Sequence, residues 1–222
     1  MAKLRLHAAA AIVAVASAVA FSGGAQGQQA VYNYFARTPD SEKVLQSNEH
    51  HHLYKGKAYL ASRKPAELAY AKAEFDFILA YWPNHLPVLD LQAQTLMLLG
   101  QGGEIDEYFA RAYRVSPSVA QLHVLHGVVL TRQNRLDEAI QRLEHAVSLS
   151  ETSMNAHYYL GMALLAAKRP ADANRHAQRA YELGHQQTEL RKQLEAAHAW
   201  APLPASGSDT KAVKNADAPA AQ

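Results

Sequence analysis

Positions in this chain repeat at a fixed interval of 34 residues. Gly127 and Gly161 are separated by this interval, and so are Pro83 and Pro117. Three alanines follow the same step, namely Ala112, Ala146 and Ala180. A repeat of this length is typical of a helix–turn–helix unit. Because one such unit cannot bury its apolar face alone, neighbouring units must stack. The interval therefore predicts an all-α protein built as a helical solenoid.

Helical periodicity divides the repeating region into four units, 49–85, 86–119, 120–153 and 154–187. The first unit is three residues longer than the others. The segment LYKGKAYLASRKPAE (53–67) aligns with YYLGMALLAAKRPAD (158–172), which places the extra residues between Pro65 and Pro83. The second helix of the first unit is therefore expected to be almost one turn longer than its counterparts.

The N-terminal 25 residues have the pattern of an export signal. Lys3 and Arg5 precede an apolar run from Ala8 to Ala20, and small residues suit cleavage after Ala20 or Ala25. The run is too short to span a bilayer as a helix, for which about 20 residues are needed. We therefore expect a cleaved signal peptide and a periplasmic or secreted protein without stable membrane insertion.

Charge gives no indication of nucleic-acid binding. The chain has 22 basic and 20 acidic residues, and the excess of two is accounted for by Lys3 and Arg5 in the expected signal. The remaining chain is electrically balanced, so it lacks the basic excess that phosphate backbones require. Nucleic acid is therefore not an expected partner.

Further segments flank the four units. Residues 26–48 form a leader and a helix start, where Thr38 is placed to cap and Pro39 suits the first helical position. Residues 188–200 predict a single capping helix with Leu190, Leu194 and Ala197 on its apolar face. Residues 201–222 are rich in Ala, Pro and Ser, and this composition predicts a disordered tail.

The small residues that recur at matching helical positions resemble those of tetratricopeptide repeats. Gly56, Ala93, Gly127 and Gly161 fall in the first helices, and Ala112, Ala146 and Ala180 fall late in the second helices. The resemblance covers residues 49–199, with Gly127–Ser150 as the closest match. It implies a right-handed α-solenoid of about four helix hairpins, in which small residues let paired helices approach closely.

Histidine occupies a position where this family usually has a large apolar residue. The position is His52, His123 and His157, with Leu89 in the second unit. Equivalent sites in successive repeats lie one unit apart, whereas zinc ligands must lie within about 2.1 Å of one centre. We therefore expect each histidine to fill an aromatic-sized space and to bond a neighbouring helix, and no metal site is predicted.

The sequence contains no pattern that indicates catalysis. It has no Cys nucleophile, no H-E-x-x-H zinc motif, no phosphate-binding glycine loop and no G-x-S-x-G nucleophile turn. No enzyme activity and no cofactor are expected.

The resemblance implies that the first helix of each unit lines a concave groove for a protein or peptide partner. The groove positions predicted by i, i+3 and i+4 spacing are mostly apolar, and they are Leu53, Lys57, Leu60, Asp90, Gln94, Met97, Gln121, Val124, Val128, Thr131, Asn155, Tyr158, Met162 and Leu165. The sequence thus favours a periplasmic scaffold or adaptor in envelope assembly or secretion that binds a peptide segment. Two alternatives stay open: a self-associating structural protein and a histidine-based metal-binding protein.

Overall fold

The computed structural model describes residues 30–201. The expected signal peptide lies outside these residues, as does the expected tail except for Ala201. The described residues form ten α-helices and no β-strand. The helices are α1 (Pro39–Asn48), α2 (Tyr54–Ser62), α3 (Pro65–Tyr81), α4 (Leu86–Leu98), α5 (Ile105–Val115), α6 (Ala120–Arg132), α7 (Leu136–Leu149), α8 (Met154–Ala166), α9 (Pro170–Glu182) and α10 (Glu189–Ala196).

The helices are arranged as four stacked pairs. Helix α2 packs on α3, α4 on α5, α6 on α7 and α8 on α9, and the second helix of each pair also contacts the first helix of the next. The first helices of the last three pairs begin at Leu86, Ala120 and Met154, one 34-residue step apart. The structure therefore confirms the all-α solenoid predicted from the sequence period.

Both helices of the first pair are longer than their counterparts in the other pairs. Helices α1 and α2 are joined without a break by a π-helical turn, Glu49–Leu53. This helix begins at the expected cap, where the Thr38 hydroxyl accepts from the Ser41 amide at 3.2 Å. Helix α3 has 17 residues and α7 has 14, which agrees with the three extra residues expected there.

Each turn inside a helix pair contains one residue in the left-handed conformation. This residue lies one position after the first helix at Arg63 and two positions after it at Gly100, Asn134 and Lys168. Around Lys168, the amide of Arg169 donates to the Leu164 carbonyl at 2.9 Å, which closes the helix end. The turns are therefore held by backbone geometry even where the sequence does not supply glycine.

Close approach explains the recurring small residues in the first helices. A Cβ at Gly56 would lie 2.5 Å from Phe75, and a Cβ at Gly127 would overlap Leu143. Phe75 and Leu143 belong to one column of the second helices with a 34-residue step, which is Phe75, Phe109, Leu143 and Ala177. In the last pair the residue of this column is Ala177, which is too small to fill the space over Gly161. Leu190 of α10 fills it instead, and lies 2.6 Å from where a Cβ at Gly161 would be.

The repeated histidines bond to neighbouring backbone and side chains. His123 Nε2 donates to the Pro117 carbonyl at 2.7 Å, and His157 Nε2 donates to the Glu151 carbonyl at 3.0 Å. Both acceptors lie six residues earlier, in the turn between repeats. In the first repeat, His52 Nδ1 instead lies 2.6 Å from Glu74 Oε2. His52 therefore bonds a neighbouring helix as predicted, and His157 does so as well, since its Nδ1 lies 3.0 Å from His176 Nδ1 of α9. For His123 the prediction is wrong, because its hydrogen bond goes to the turn before its own helix.

A polar cluster joins the first pair to the second. Asp76 of α3 accepts from the Tyr108 hydroxyl at 2.5 Å and from Gln92 Nε2 at 2.8 Å. Lys72 Nζ donates to Asp76 at 3.1 Å. Burial raises the pKa of Tyr108, and its bond to Asp76 adds to this. The hydroxyl therefore keeps its proton and bridges α5 to α3.

The segment before α1 folds back against the turn between α3 and α4. The Tyr32 ring stacks on the buried Trp82 at 4.8 Å. The fully buried Asn84 side chain accepts from the Tyr34 amide at 3.0 Å and donates to Asn33 at 2.7 Å and to Ser116 at 2.8 Å. Residues 32–34 of the leader therefore pack as part of the repeat domain.

The capping helix is shorter than the sequence indicated. Leu190 and Leu194 are fully buried as expected, but α10 ends at Ala196 and Ala197 is exposed. The helix ends there because His198 adopts positive φ, and the amide of Ala199 donates back to the Leu194 carbonyl at 2.8 Å. The prediction that the helix continues to residue 200 with Ala197 on its apolar face is wrong.

Candidate peptide-binding groove

The first helices of the last three pairs line a common cavity of about 630 Å³. We call this cavity, with the residues that line it, the groove. Helix α4 contributes Leu86, Pro87 and Asp90. Helix α6 contributes Gln121, Val124, Leu125, Val128 and Arg132. The start of α8, the turn before it and the leader complete the wall with Thr152, Ser153, Met154, Asn155, Tyr159 and Tyr34. The repeat brings these residues together because equivalent positions recur on the same face of each first helix.

Some of the predicted groove residues line this cavity and others line a second one. Those in the groove are Asp90, Gln121, Val124, Val128 and Asn155. A second cavity of about 590 Å³ lies between α8 and α10, and the predicted residues that line it are Thr131, Met162 and Leu165. The predicted face is thus divided between two concavities.

The remaining predicted positions line neither of these cavities. Leu53 and Tyr158 are buried, and the Tyr158 ring, which is only 3% exposed, stacks on His185 at 3.9 Å. Lys57 is exposed on α2, and the others are half-buried, namely Leu60, Gln94 and Met97. Tyr158 is therefore part of the packing between α8 and the following turn.

Several groove residues were not identified from the sequence. Leu125 and Tyr159 line the cavity and are one 34-residue step apart, each four residues after a predicted position, Gln121 or Asn155. Helical spacing therefore contained a signal for both. Tyr34 had no such signal, since it lies outside the repeats and reaches the rim through the leader, where its ring lies 4.4 Å from that of His85.

The charges in the groove neutralise each other. Asp90 and Arg132 are the charged residues among its lining, and Arg132 donates to Asp90 Oδ1 at 2.6 Å. Gln94 Nε2 donates to the other Asp90 oxygen at 2.9 Å. The rest of the lining consists of apolar, amide and hydroxyl side chains. The groove therefore presents hydrogen-bonding groups and apolar surface without a free charge.

A smaller polar cavity of about 260 Å³ lies between α5, α6 and α7. His126 stacks on Phe109 at 4.1 Å, and its Nδ1 lies 3.0 Å from the Tyr113 hydroxyl. Burial, together with the nearby Arg142, lowers the pKa of His126 to about 4. His126 is therefore neutral at pH 7 and has a packing role.

No cluster of three or more His, Cys, Asp or Glu side chains within residues 30–201 is arranged to hold a metal ion. In the same part of the chain, the helices all lack the length or the apolar character that crossing a membrane requires.

Comparison with known proteins identifies the fold. No protein-family model matches the sequence, and the search of curated proteins gives no match. Among solved structures, Pseudomonas aeruginosa PilF is similar with a TM-score of 0.53 and 21% identity, over 69% of this chain and 68% of that chain. A MamA protein is similar with a TM-score of 0.50 and 15% identity, over 71% of this chain and 82% of that chain.

Both of these structures are tetratricopeptide-repeat proteins. They share with this chain the stacked helix pairs that the 34-residue period predicted. In its fold, the chain is therefore a tetratricopeptide-repeat protein.

Proposed function

We propose that this protein is an exported scaffold of the bacterial envelope that holds a segment of another protein in the groove. The observation that carries the proposal is the cavity of about 630 Å³ shared by α4, α6 and α8. A cavity formed by three consecutive repeats suits a ligand that runs across the stack, as a peptide does. We infer a binding protein rather than an enzyme, because the groove contains no pair of groups arranged as nucleophile and base.

The lining indicates the chemistry of the ligand. Asp90 and Arg132 compensate each other, so a charged ligand would have to break their ion pair. Val124, Leu125 and Val128 offer an apolar floor, and Gln121 and Asn155 are exposed amides able to bond a peptide backbone. The proposed ligand is therefore an uncharged segment with apolar side chains.

The proposed location follows from the N-terminal sequence. A basic start, a 13-residue apolar run and small residues before Gln26 are the features of a cleavable signal. Export would place the groove in the periplasm or outside the cell, where the partner would belong to an assembly or secretion system.

Site-specific photo-crosslinking tests the proposal. A photoreactive phenylalanine analogue replaces Tyr159, which lines the groove, and the protein is irradiated in its native cells. One abundant adduct with another envelope protein is the expected result. Mass spectrometry of the adduct should place the crosslink in an apolar, uncharged segment of that protein.

The matched control carries the same analogue at Gln141, which is exposed on α7 and lines none of the cavities described above. The adduct should be absent there. Equal adducts at both positions would contradict groove binding, an adduct between two copies would indicate self-association instead, and no adduct from a folded, exported protein would reject the groove as a docking surface.

A further inference from the structure

The outer surface of α3 differs from the same surface of the other second helices. We define the outer stripe of α3 as Tyr70, Ala73, Phe77 and Ala80. Tyr70 is 60% exposed and Phe77 is 40% exposed. The stripe covers one helix face by i, i+3 and i+4 spacing, so α3 presents a continuous apolar surface to solvent.

The repeats supply an internal comparison. One 34-residue step beyond the stripe, the equivalent residues of α5 and the turn before it are Glu104, Glu107, Arg111 and Arg114. Another step gives the stripe of α7, which is Glu138, Gln141, His145 and Ser148. The third step gives that of α9, which is Asp172, Arg175, Arg179 and Glu182. The solvent-facing stripe of the second helix is therefore polar in the second, third and fourth repeats and apolar in the first.

A row of cations lies beside this stripe. Lys55, Tyr59 and Arg63 follow one another at four-residue spacing along α2 and its end, and the Tyr59 ring lies 5.6 Å from that of Tyr70. Lys55 and Arg63 are exposed, and neither forms an ion pair with a carboxylate within residues 30–201. The sequence contains no Asp or Glu between Glu49 and Glu67. On α3 itself, Glu67 and Glu74 lie beside the stripe and pair with Lys64 and His52. Lys55 and Arg63 are therefore the charges next to the stripe that lack a partner within residues 30–201.

We propose that this basic and aromatic face of the first repeat docks on the surface of an anionic phospholipid bilayer. The cations match the negative surface of such a bilayer, and each Lys or Arg near it strengthens binding. Tyrosine suits the boundary between headgroups and acyl chains because its ring is apolar and its hydroxyl is polar. Docking through this face leaves the groove, on the first helices of the other repeats, free for its ligand.

The shape of the face favours a bilayer over an acidic peptide. Common peptide-recognition modes use a groove or a sheet edge, and the cavities described above contain none of the residues that form this face. Tyr70 is 60% exposed, whereas the Phe77 ring stacks on His52 at 3.9 Å, so Tyr70 is the ring best placed to enter the headgroup region. An acidic protein remains as an outcome for the experiment to detect.

Vesicle flotation tests the proposal. The protein from Gln26 onward, which retains the compact unit that begins at Val31, is mixed with vesicles of phosphatidylcholine alone or of equal parts phosphatidylglycerol and phosphatidylcholine. It is expected to float only with the anionic vesicles, and less at 0.5 M than at 0.05 M salt because the charges are screened. Equal flotation with both vesicles, or with neither, would overturn the proposal.

Two variants test whether vesicle binding uses this face. Removing two charges with Lys55→Gln and Arg63→Gln should lower the partition coefficient about 25-fold, since each charge contributes about fivefold. Tyr70→Ser should lower it about fivefold. These side chains are exposed, so both variants should fold, which their circular dichroism and thermal melting would verify.

The matched control removes the same charge elsewhere. Arg175 and Arg179 are exposed on α9 at the positions equivalent to Ala73 and Phe77, and Arg175→Gln with Arg179→Gln should leave flotation unchanged. An equal loss from this control would show that net charge alone determines binding and would overturn the assignment to α3. Tighter binding of wild type to a polyglutamate peptide than to the anionic vesicles, lost in the Lys55 and Arg63 variant, would overturn it in favour of an acidic protein.

Discussion

The side chain of Leu143 packs directly onto the backbone of Gly127, with no room between them for a Cβ atom. This contact joins α6 to α7 in the third repeat, and Phe75 makes the same contact with Gly56 in the first. In the first and third repeats, the glycine of the first helix and the large residue of the second helix are therefore a matched pair, so a substitution at one should change the effect of a substitution at the other.

Gly127→Ala is expected to destabilise the protein by up to about 2 kcal/mol. Alanine gains about 1 kcal/mol of helix propensity, but overpacking against Leu143 costs about 1–3 kcal/mol. The free energy of unfolding in urea measures the effect. In a Leu143→Ala background the sign should reverse, because the space is then free. Gly103→Ala is the control, since a Cβ there meets no atom within 4 Å.

Leu190→Ala is expected to cost about 2–5 kcal/mol, the usual range for a buried leucine. Its side chain fills the space over Gly161 and is fully buried. Hydrogen exchange should show faster exchange of the α10 amides as well. Lys192→Ala on the exposed side of the same helix should change stability by less than about 0.5 kcal/mol, and equal effects of the two variants would contradict the role of Leu190 as a cap.

Lys168→Gly is expected to stabilise the protein by about 0.5–1 kcal/mol. Lys168 has a φ of 61°, a left-handed conformation that glycine adopts without a steric penalty. Thermal unfolding measures the gain. Lys168→Ala removes the same side chain but keeps a Cβ, so it should give no gain. Stabilisation by alanine would mean that the lysine side chain, rather than its backbone conformation, was unfavourable.

Acidification is expected to destabilise the fold between pH 6.5 and pH 4, partly through His126. Its pKa is about 4 in the folded protein and 6.5 as the ordinary value. Below pH 6.5 the unfolded chain binds a proton that the folded chain does not, so stability falls by about 1.4 kcal/mol per pH unit from this residue. Above pH 6.5 it contributes no pH dependence, and below pH 4 the slope levels off.

Burial, together with the adjacent His157, also lowers the pKa of His176 to about 4, so His176 acts in the same direction. Denaturant titrations at several pH values measure the slope. His126→Phe should reduce it by about 1.4 kcal/mol per pH unit, whereas His50→Gln at an exposed position should not. An unchanged slope in His126→Phe would show that His126 is not protonated on unfolding in this range.

Asn84→Ala is expected to cost about 2–3 kcal/mol and to release the leader. Its buried side chain holds the Tyr34 amide, Asn33 and Ser116, and removing it leaves buried polar groups without partners. Hydrogen exchange at the Tyr34 amide should increase as the leader detaches. Asn155→Ala, at an exposed amide of α8, should leave that exchange unchanged. Slow exchange at Tyr34 in Asn84→Ala would mean that the contacts of Tyr32, its stacking on Trp82 and its amide bond to the Tyr81 carbonyl, are enough to hold the leader.

The fold could be predicted because the repeat is visible in the order of the residues and does not depend on knowing any tertiary contact. The 34-residue step places Gly127 and Gly161 at equivalent positions whatever the surroundings, and helix spacing then gives the buried face. The end of α10 was missed because the left-handed conformation of His198 has no residue signal such as glycine.

The groove was predicted less completely because its shape depends on tertiary contacts. The spacing rule selected Tyr158, whose ring is buried against His185 of the following turn. It passed over Tyr159, which lies four residues after Asn155 and lines the groove. Tyr34 could not be predicted from the sequence, because its position depends on the hydrogen bond from its amide to Asn84, which lies in a turn 50 residues later in the chain.

The alanine at position 177 limits how the array can grow. Duplication of the fourth unit would follow it with a new helix pair in place of α10, and Gly161 would then face Ala177 without Leu190 to fill the gap. A longer array would need a large side chain at position 177 in the same evolutionary step. Extension of the array past the fourth unit is therefore limited by the volume of one side chain.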